Sequence, residues 1–194
     1  MNYPLQLSFK TLAIAQQLSA TDASGKLVFY VKQKAFKLKE DVTVFADEAQ
    51  TQPLYHIKAE KMLDFNARYN FTDAQGAPIG AIKRQGMKSL WKAHYDIFDG
   101  QNVALGIDEE NPWIKVADAL LSEIPVLGML TGHFFHPAFL LTRPDGSVML
   151  RLQKQAAFFE GKFTLEKRVE FAPGEEARAL LGLIMMVLLE RGRG

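Results

Sequence analysis

The sequence has no cysteine, almost no net charge and no long hydrophobic run, and each absence excludes a class of protein. Without cysteine among its 194 residues, the chain cannot be a disulfide scaffold, use a catalytic thiol or bind a metal through thiolates. Its formal net charge of +1 provides no global field for nucleic acid or an anionic membrane, so such binding would need a local patch. The sequence also has no Gly-x-Ser-x-Gly motif, no phosphate-binding loop and no convincing carboxylate pair. We therefore expect no catalytic residue and no cofactor, and favour a protein that is not an enzyme.

The N-terminal segment lacks the features of an export signal. Its apolar portion is not preceded by a basic region and is shorter than the apolar core of a signal peptide. Together with the missing cysteines, this favours the cytoplasm, with or without peripheral attachment to a membrane. The length of 194 residues, the apolar content of 48 % and the lack of a linker-like stretch predict one domain over residues 1–194.

Most of the chain alternates between apolar and polar residues with the period of a β-strand. About ten short segments rich in Val, Phe and Tyr follow one another between residues 26 and 171. Three connections, "TDASG" at 21–25, "TDAQG" at 72–76 and "RPDG" at 143–146, combine Asp with Gly, which is typical of tight hairpin turns. This pattern predicts an antiparallel meander that forms a barrel or a sandwich.

Two segments break the strand pattern and predict helices. In "ENPWIKVADALLSEIP" (110–125), Asn111 suits an N-cap and Pro112 the first helical position, which predicts an amphipathic outer helix. The second segment, residues 179–189, contains no charged residue. As a helix it would be roughly 16 Å long, about half the ~30 Å apolar thickness of a bilayer. A helix that is apolar on every side must be surrounded by protein, whereas a helix packed on one sheet face would carry polar residues on its other side. We therefore expect the strands to close around this helix.

Three stretches carry a resemblance to a known family. They are "YVKQKAFKLKEDVTVFAD" (30–47), "PLYHIKAEKMLDFNARYNFTDAQGAPIGAIKRQGMKSLWKAHYDI" (53–97) and the closing "EEARALLGLIMMVLLERGRG" (175–194). An opening strand pair, an x-Y-x-I-K-A strand, a D-A-x-G-x-x-I-G hairpin and an S-L-W segment occur in this order. In these features the chain resembles the LURP-one-related branch of the tubby C-terminal and phospholipid-scramblase-like proteins, in a bacterial-type form. The segment 108–142 departs from the plant-type pattern.

The resemblance implies a fold rather than an activity. The implied fold is a closed antiparallel β-barrel of about twelve strands around a central hydrophobic C-terminal helix, to which the outer helix is added. Tubby-type members bind phosphoinositides and scramblase-like members act at membranes, but the family implies no catalytic residues that this chain would share.

Two local clusters of basic residues stand out in the nearly neutral chain. One interpretation is a site for an anionic lipid or another phosphate-bearing ligand, with Trp91 as a stacking or interfacial residue. The other is a solvated strand face and a basic edge strand that resists aggregation. The candidate residues are Lys32, Lys34, Lys37 and Lys39 in the first cluster and Lys83, Arg84 and Lys88 in the second.

No combination of residues predicts a metal site. His133 and His136 could provide two imidazole ligands, but no third ligand follows at a spacing typical of metal sites. The segment "DEEN" (108–111) lacks the alternating acidic residues of a calcium-binding loop. Three hypotheses about function remain open. The first is a non-enzymatic binding module whose partner is an anionic phospholipid, a phosphate-bearing ligand or a protein, with no nucleic acid expected. The second is an enzyme or small-molecule carrier with a pocket at a barrel mouth. The third is a protein-interaction adaptor that uses residues 111–142.

Overall fold

The computed structural model describes residues 1–11, 15–34, 41–60, 67–85, 94–110, 138–155 and 161–191. These residues form strands and one helix, which we number in chain order. The elements are β1 (Leu5–Thr11), β2 (Ala15–Thr21), β3 (Leu27–Lys34), β4 (Asp41–Phe45), β5 (Pro53–Ala59), β6 (Arg68–Asp73), β7 (Pro78–Arg84), β8 (His94–Asp99), β9 (Asn102–Glu109), β10 (Ala138–Thr142), β11 (Val148–Gln155), β12 (Gly161–Lys167) and α1 (Glu175–Arg191).

The strands form a closed antiparallel barrel. Each strand pairs with the next one along the chain, and β1 pairs with β12 to close the ring, with Leu5 opposite Leu165. The predicted meander and barrel are confirmed, and the sandwich is excluded. Two strands, β1 and β2, precede residue 26, where the strand pattern in the sequence begins. The alternation of the sequence predicted about ten strands, and these two bring the number of strands to twelve, as the resemblance implies.

The predicted hairpin turns are present, and their chemistry is the expected one. In the first turn, Asp22 Oδ1 accepts hydrogen bonds from the backbone N–H groups of Ser24 at 2.9 Å and Lys26 at 3.2 Å. Gly25 follows with a φ of +83°, which a residue without a Cβ adopts at little cost. The same combination of an accepting Asp and a positive-φ Gly recurs at Asp73 with Gly76 and at Asp145 with Gly146.

The interior of the barrel is filled by α1. Successive side chains of a strand point to opposite faces, so every second side chain points into the barrel. Leu5, Leu7 and Phe9 of β1 are examples, and they are at most 3 % exposed. Every helix residue from 179 to 188 other than Gly182 is a hydrophobic side chain that is at most 6 % exposed. At Gly182 a Cβ atom would lie 2.2 Å from Ile97 Cδ1, so glycine allows β8 to approach the helix closely. The enclosed-helix prediction is confirmed, and packing on a single sheet face is excluded.

One end of the barrel, the turn end, holds these hairpin turns and the start of α1. There Glu175 accepts hydrogen bonds from Arg143 Nε at 2.9 Å and Nη2 at 2.8 Å, and from the backbone N–H of Ala172 at 2.8 Å. The Arg143 hydrogen bond holds the pKa of the Glu175 carboxyl below its ordinary value. Arg178 forms a second anchor, since its Nη2 lies 2.7 Å from Asp99 Oδ2. These contacts fix the helix start against the barrel wall.

The opposite end, the helix-exit end, is where α1 finishes. No helix within the described ranges has both the length and the apolar character needed to cross a bilayer. The predicted outer helix, the two histidines of "HFFHP" and Trp91 lie outside the described residues.

Candidate anion-binding surface

The predicted basic residues lie at the helix-exit end, but on two separate parts of the wall. Lys32 and Lys34 belong to the end of β3, and Lys83 and Arg84 to the end of β7. Three strands lie between β3 and β7, so four steps of ~4.8 Å separate the clusters by roughly 19 Å around the barrel. The described members of the two clusters therefore do not form one site. Lys37, Lys39, Lys88 and the side chain of Lys34 lie outside the described part of the chain.

The second cluster is divided between the two faces of β7 and meets carboxylates on both. Lys83 is exposed on the outer wall, where it lies opposite Asp96 of β8. Arg84 faces the barrel interior, and only 13 % of its side chain is exposed. Its Nη2 lies 3.8 Å from Glu190 Oε1 of α1. An anion that approached either residue would therefore meet a negative charge at the same place.

Arg84 is part of a polar group that fastens the end of α1. The fully buried Tyr95 donates its hydroxyl hydrogen to Glu190 Oε1 over 2.5 Å, and the Arg84 guanidinium carbon lies 5.9 Å from the centre of the Tyr95 ring. Burial, followed by the negative charge of Glu190, raises the pKa of the Tyr95 phenol far above its ordinary range. Tyr95 therefore stays protonated near neutral pH, where it can neither act as a base nor attack a substrate.

A histidine on the outer wall of β8 lies between two aspartates. His94 Nδ1 is 3.0 Å from Asp108 Oδ1, and His94 Nε2 is 3.1 Å from Asp96 Oδ1. Gln85 donates a further hydrogen bond to the other oxygen of Asp96. The two ring nitrogens point to different carboxylates, so the three side chains do not converge on one point. Within the described ranges, no group of three or more His, Asp or Glu side chains could hold a metal ion.

The first cluster has a different electrostatic environment. Lys32 is exposed on the outer wall of β3 and lies opposite Gln17 of β2, which in turn lies opposite Lys10 of β1. Lys32 therefore lies opposite a neutral amide, whereas Lys83 lies opposite a carboxylate. Lys10 did not emerge from the sequence analysis, because its relation to Lys32 depends on the register of three strands. The alternation of "LQLSFK" could have indicated that Lys10 is exposed. Leu5, Leu7 and Phe9 point into the barrel, so Lys10 lies on the outside.

A shallow groove of about 350 Å³ lies on the outer wall between the β6–β7 hairpin and the β8–β9 turn. Its basic residue, Arg68, places its guanidinium carbon 4.5 Å from the centre of the Phe98 ring. One Arg68 Nη2 hydrogen is donated to the Gly100 carbonyl oxygen, and Nη1 lies 3.5 Å from Gln101 Oε1. Arg68 is thus held by its own chain. The groove lies beside two turns of the turn end, and α1 fills the barrel interior behind it.

Comparisons with known proteins agree with the resemblance seen in the sequence. A family model described as LURP-one-related matches residues 27–187. The X-ray structure of a protein from Arabidopsis thaliana superposes with a TM-score of 0.50 at 14 % sequence identity, and the match covers 95 % of this chain and 90 % of that one. At this identity the likeness concerns the fold alone. No curated protein matches the chain. Because the family model spans most of the sequence, the chain belongs to the LURP-one-related family.

Proposed function

We propose that the protein is a non-enzymatic binding module that holds an anionic, phosphate-bearing ligand at a basic outer face of the barrel near the helix-exit end. The observation that supports this function best is the environment of Lys32. It is exposed, and the residue that lies opposite it on β2, Gln17, is neutral. An exposed positive charge that lies opposite a neutral residue attracts anions even when the whole chain is almost neutral.

The filled interior supports binding on the outside of the barrel. The space enclosed by the strands is occupied by α1, whose residues 179–188 are buried on every side. Ligand contacts are therefore left to the outer wall and to the connections between strands. Both ring nitrogens of His94 lie within 3.1 Å of an aspartate oxygen, and the buried Tyr95 donates its hydroxyl hydrogen to Glu190, so neither side chain is left to contact a substrate. This arrangement favours binding over catalysis.

The proposed ligand-binding residues differ in how well their surroundings suit an anion. Lys32 and its neighbours Lys34, Lys37 and Lys39 form the favoured cluster. Lys83, Arg84 and Lys88 stay a secondary prediction, because Lys83 lies opposite Asp96 and Arg84 lies beside Glu190. Near an anionic bilayer each exposed basic residue contributes about 1 kcal/mol, so three or four would give measurable and salt-sensitive binding.

Co-sedimentation with lipid vesicles tests this function. We expect the protein to bind vesicles of phosphatidylcholine mixed with phosphatidylglycerol at low salt, to be released at high salt, and to ignore pure phosphatidylcholine. Lys32→Glu combined with Lys34→Glu should weaken binding more than Lys83→Glu combined with Lys88→Glu. Isothermal titration with inorganic pyrophosphate distinguishes a free phosphate ligand from a lipid headgroup. Failure to bind either anion at low salt would refute the proposal and favour a protein partner.

A further inference from the structure

We infer that the groove beside Arg68, the Arg68 groove, is a second binding site and that its ligand is a flat, uncharged nitrogen heterocycle of the nucleobase type. The groove lies at the turn end, whereas Lys32 and Lys83 lie near the helix-exit end. It is therefore separate from the proposed anion-binding face. Its lining includes Arg68, Thr72, Pro78, Ile79, Asp99 and Gln101.

Arg68 provides the groove with a flat surface that is held in place. Phe98 covers one side of the guanidinium, whose central carbon lies 4.5 Å from the centre of the ring. Nη2 donates a hydrogen bond to the Gly100 carbonyl oxygen, and Nη1 donates one to Gln101 Oε1 at 3.5 Å, so both ends of the plane are fixed. Arg68 rather than Phe98 lines the groove, which leaves the side opposite Phe98 to the ligand. Guanidinium planes stack on flat rings, and unstacked bases are held on them in this way.

The charges of the groove are balanced, which favours an uncharged ligand. Arg68 Nε lies 3.7 Å from Glu60 Oε1, and Asp99 Oδ2 lies 2.7 Å from Arg178 Nη2 of α1. Each charged side chain of the lining thus has an opposite charge beside it, and a phosphate group in the groove would be repelled by Asp99. A nucleic-acid strand is usually held in a groove with an excess of positive charge. The balanced groove therefore suits a single base or nucleoside better than a strand.

The polar groups near Arg68 suit a ring that carries an amino group next to a ring nitrogen. Asp99 can only accept hydrogen bonds, and its side chain is 62 % exposed. The amide nitrogen of Gln101 donates, while its oxygen accepts from Arg68. Thr72 adds a hydroxyl that can donate or accept. Adenine presents an amino donor and a ring acceptor side by side, so its edge matches these groups.

The walls of the groove are rigid and its size suits a small molecule. Its volume of about 350 Å³ lies at the lower end of the range for small-molecule sites, and Pro78 and Ile79 give it an apolar side. Arg178 Nε donates a hydrogen bond to the Ile79 carbonyl oxygen at 3.0 Å. At Gly80 a Cβ atom would lie 2.5 Å from the Phe98 carbonyl oxygen, so glycine allows β7 to lie close to the end of β8. A site that is already in shape loses less entropy when it binds.

Equilibrium dialysis with three small molecules tests the ligand. We expect adenosine to bind with an affinity that changes little with salt, because its base is uncharged. Purine riboside, which lacks the amino group, should bind more weakly. Adenosine monophosphate should bind no more tightly than adenosine, because the groove has no unbalanced positive charge to attract its phosphate.

Two matched arginine variants test the position of the site. Arg68→Lys keeps the charge but removes the plane, and we expect adenosine to bind at least about tenfold more weakly. Arg151→Lys makes the same change on the outer wall of β11, where Arg151 pairs with Glu110, and it should change adenosine binding less than about twofold. Thr72→Val keeps the shape of the side chain, removes the hydroxyl and should weaken binding about three- to tenfold. Melting curves should show that all three variants fold.

The outcomes separate this site from the proposed function. Absence of adenosine binding by the wild type, or equal losses in the two arginine variants, would overturn the Arg68 groove whether or not the protein binds anionic vesicles. If Arg68→Lys fails to fold, unchanged binding by Thr72→Val would overturn it instead. Much tighter binding of adenosine monophosphate than of adenosine would overturn the uncharged ligand. Saturating adenosine should leave the binding of anionic vesicles unchanged, and displacement of the vesicles would overturn the separation of the two sites.

Discussion

The burial of α1 inside the barrel predicts that alanine substitutions are costly on every side of the helix. Successive residues are about 100° apart around a helix, so five positions between 180 and 186 leave no gap wider than about 100°. Each is at most 6 % exposed. Truncation of a buried Leu or Met to Ala costs about 2–5 kcal/mol, through lost burial and through the cavity that remains. The positions are Leu180, Leu181, Leu183, Met185 and Met186.

Urea denaturation followed by circular dichroism measures these costs. A domain of this size is typically stable by about 5–15 kcal/mol, so each substitution should lower the unfolding midpoint clearly, and two together should leave little folded protein. Val103→Ala is the control, because Val103 is 47 % exposed and its truncation should cost no more than about 0.5 kcal/mol. If one face of the helix were exposed to solvent, the loss of stability would be small at the positions on that face and large at the others. If two or more of the five substitutions cost less than about 0.5 kcal/mol, the enclosed helix is refuted.

Two further predictions concern the helix start and the closest helix–strand contact. Arg143 lowers the pKa of Glu175 below its ordinary 4.5, so the Glu175 carboxylate stabilises the fold at neutral pH, and this contribution fades as the pH falls below 4.5. Glu175→Gln should therefore melt below wild type at pH 7 and approach it in acid, and a difference that stays constant with pH would contradict the pairing. Gly182→Leu should destabilise by at least about 1–3 kcal/mol, because even a Cβ atom there would lie 2.2 Å from Ile97 Cδ1. Adding Ile97→Ala should recover part of the loss in melting temperature, and no recovery would show that the clash is not the cause.

Much of the fold could be predicted because its two main signals are local. Strand alternation and Asp–Gly turns are read within about ten residues, and an apolar run without a polar face excludes an exposed helix by itself. β2, "AQQLSAT", was not predicted, because it has little of the β-branched and aromatic content that strands usually show. Its strand conformation is supported by pairing with β1 and β3 on either side.

The candidate site was less predictable because it depends on which strands are neighbours. Adjacent residues of a strand face opposite sides, so Lys83 and Arg84 had to be divided between wall and interior, but the sequence does not reveal which of them faces Glu190. Lys10 and Lys32 are 22 residues apart in the chain. They come near each other only through the register of β1, β2 and β3, in which both lie opposite Gln17.

The closure of the barrel by β1 and β12 also bears on how the protein folds during synthesis. Leu5 pairs with Leu165, so the first strand finds one of its two partners only after nearly the whole chain has been made. The core is completed later still, because α1 follows all twelve strands in the sequence. Until residues 175–191 leave the ribosome, the inward-facing side chains of the strands lack the helix that covers them. Folding of a chain with such long-range contacts is slow, and its nascent form exposes apolar strands that can aggregate. Aggregation of this protein is therefore favoured most when translation stalls between β12 and α1. At that point the strands are partly paired, but the helix that fills the barrel has not been made.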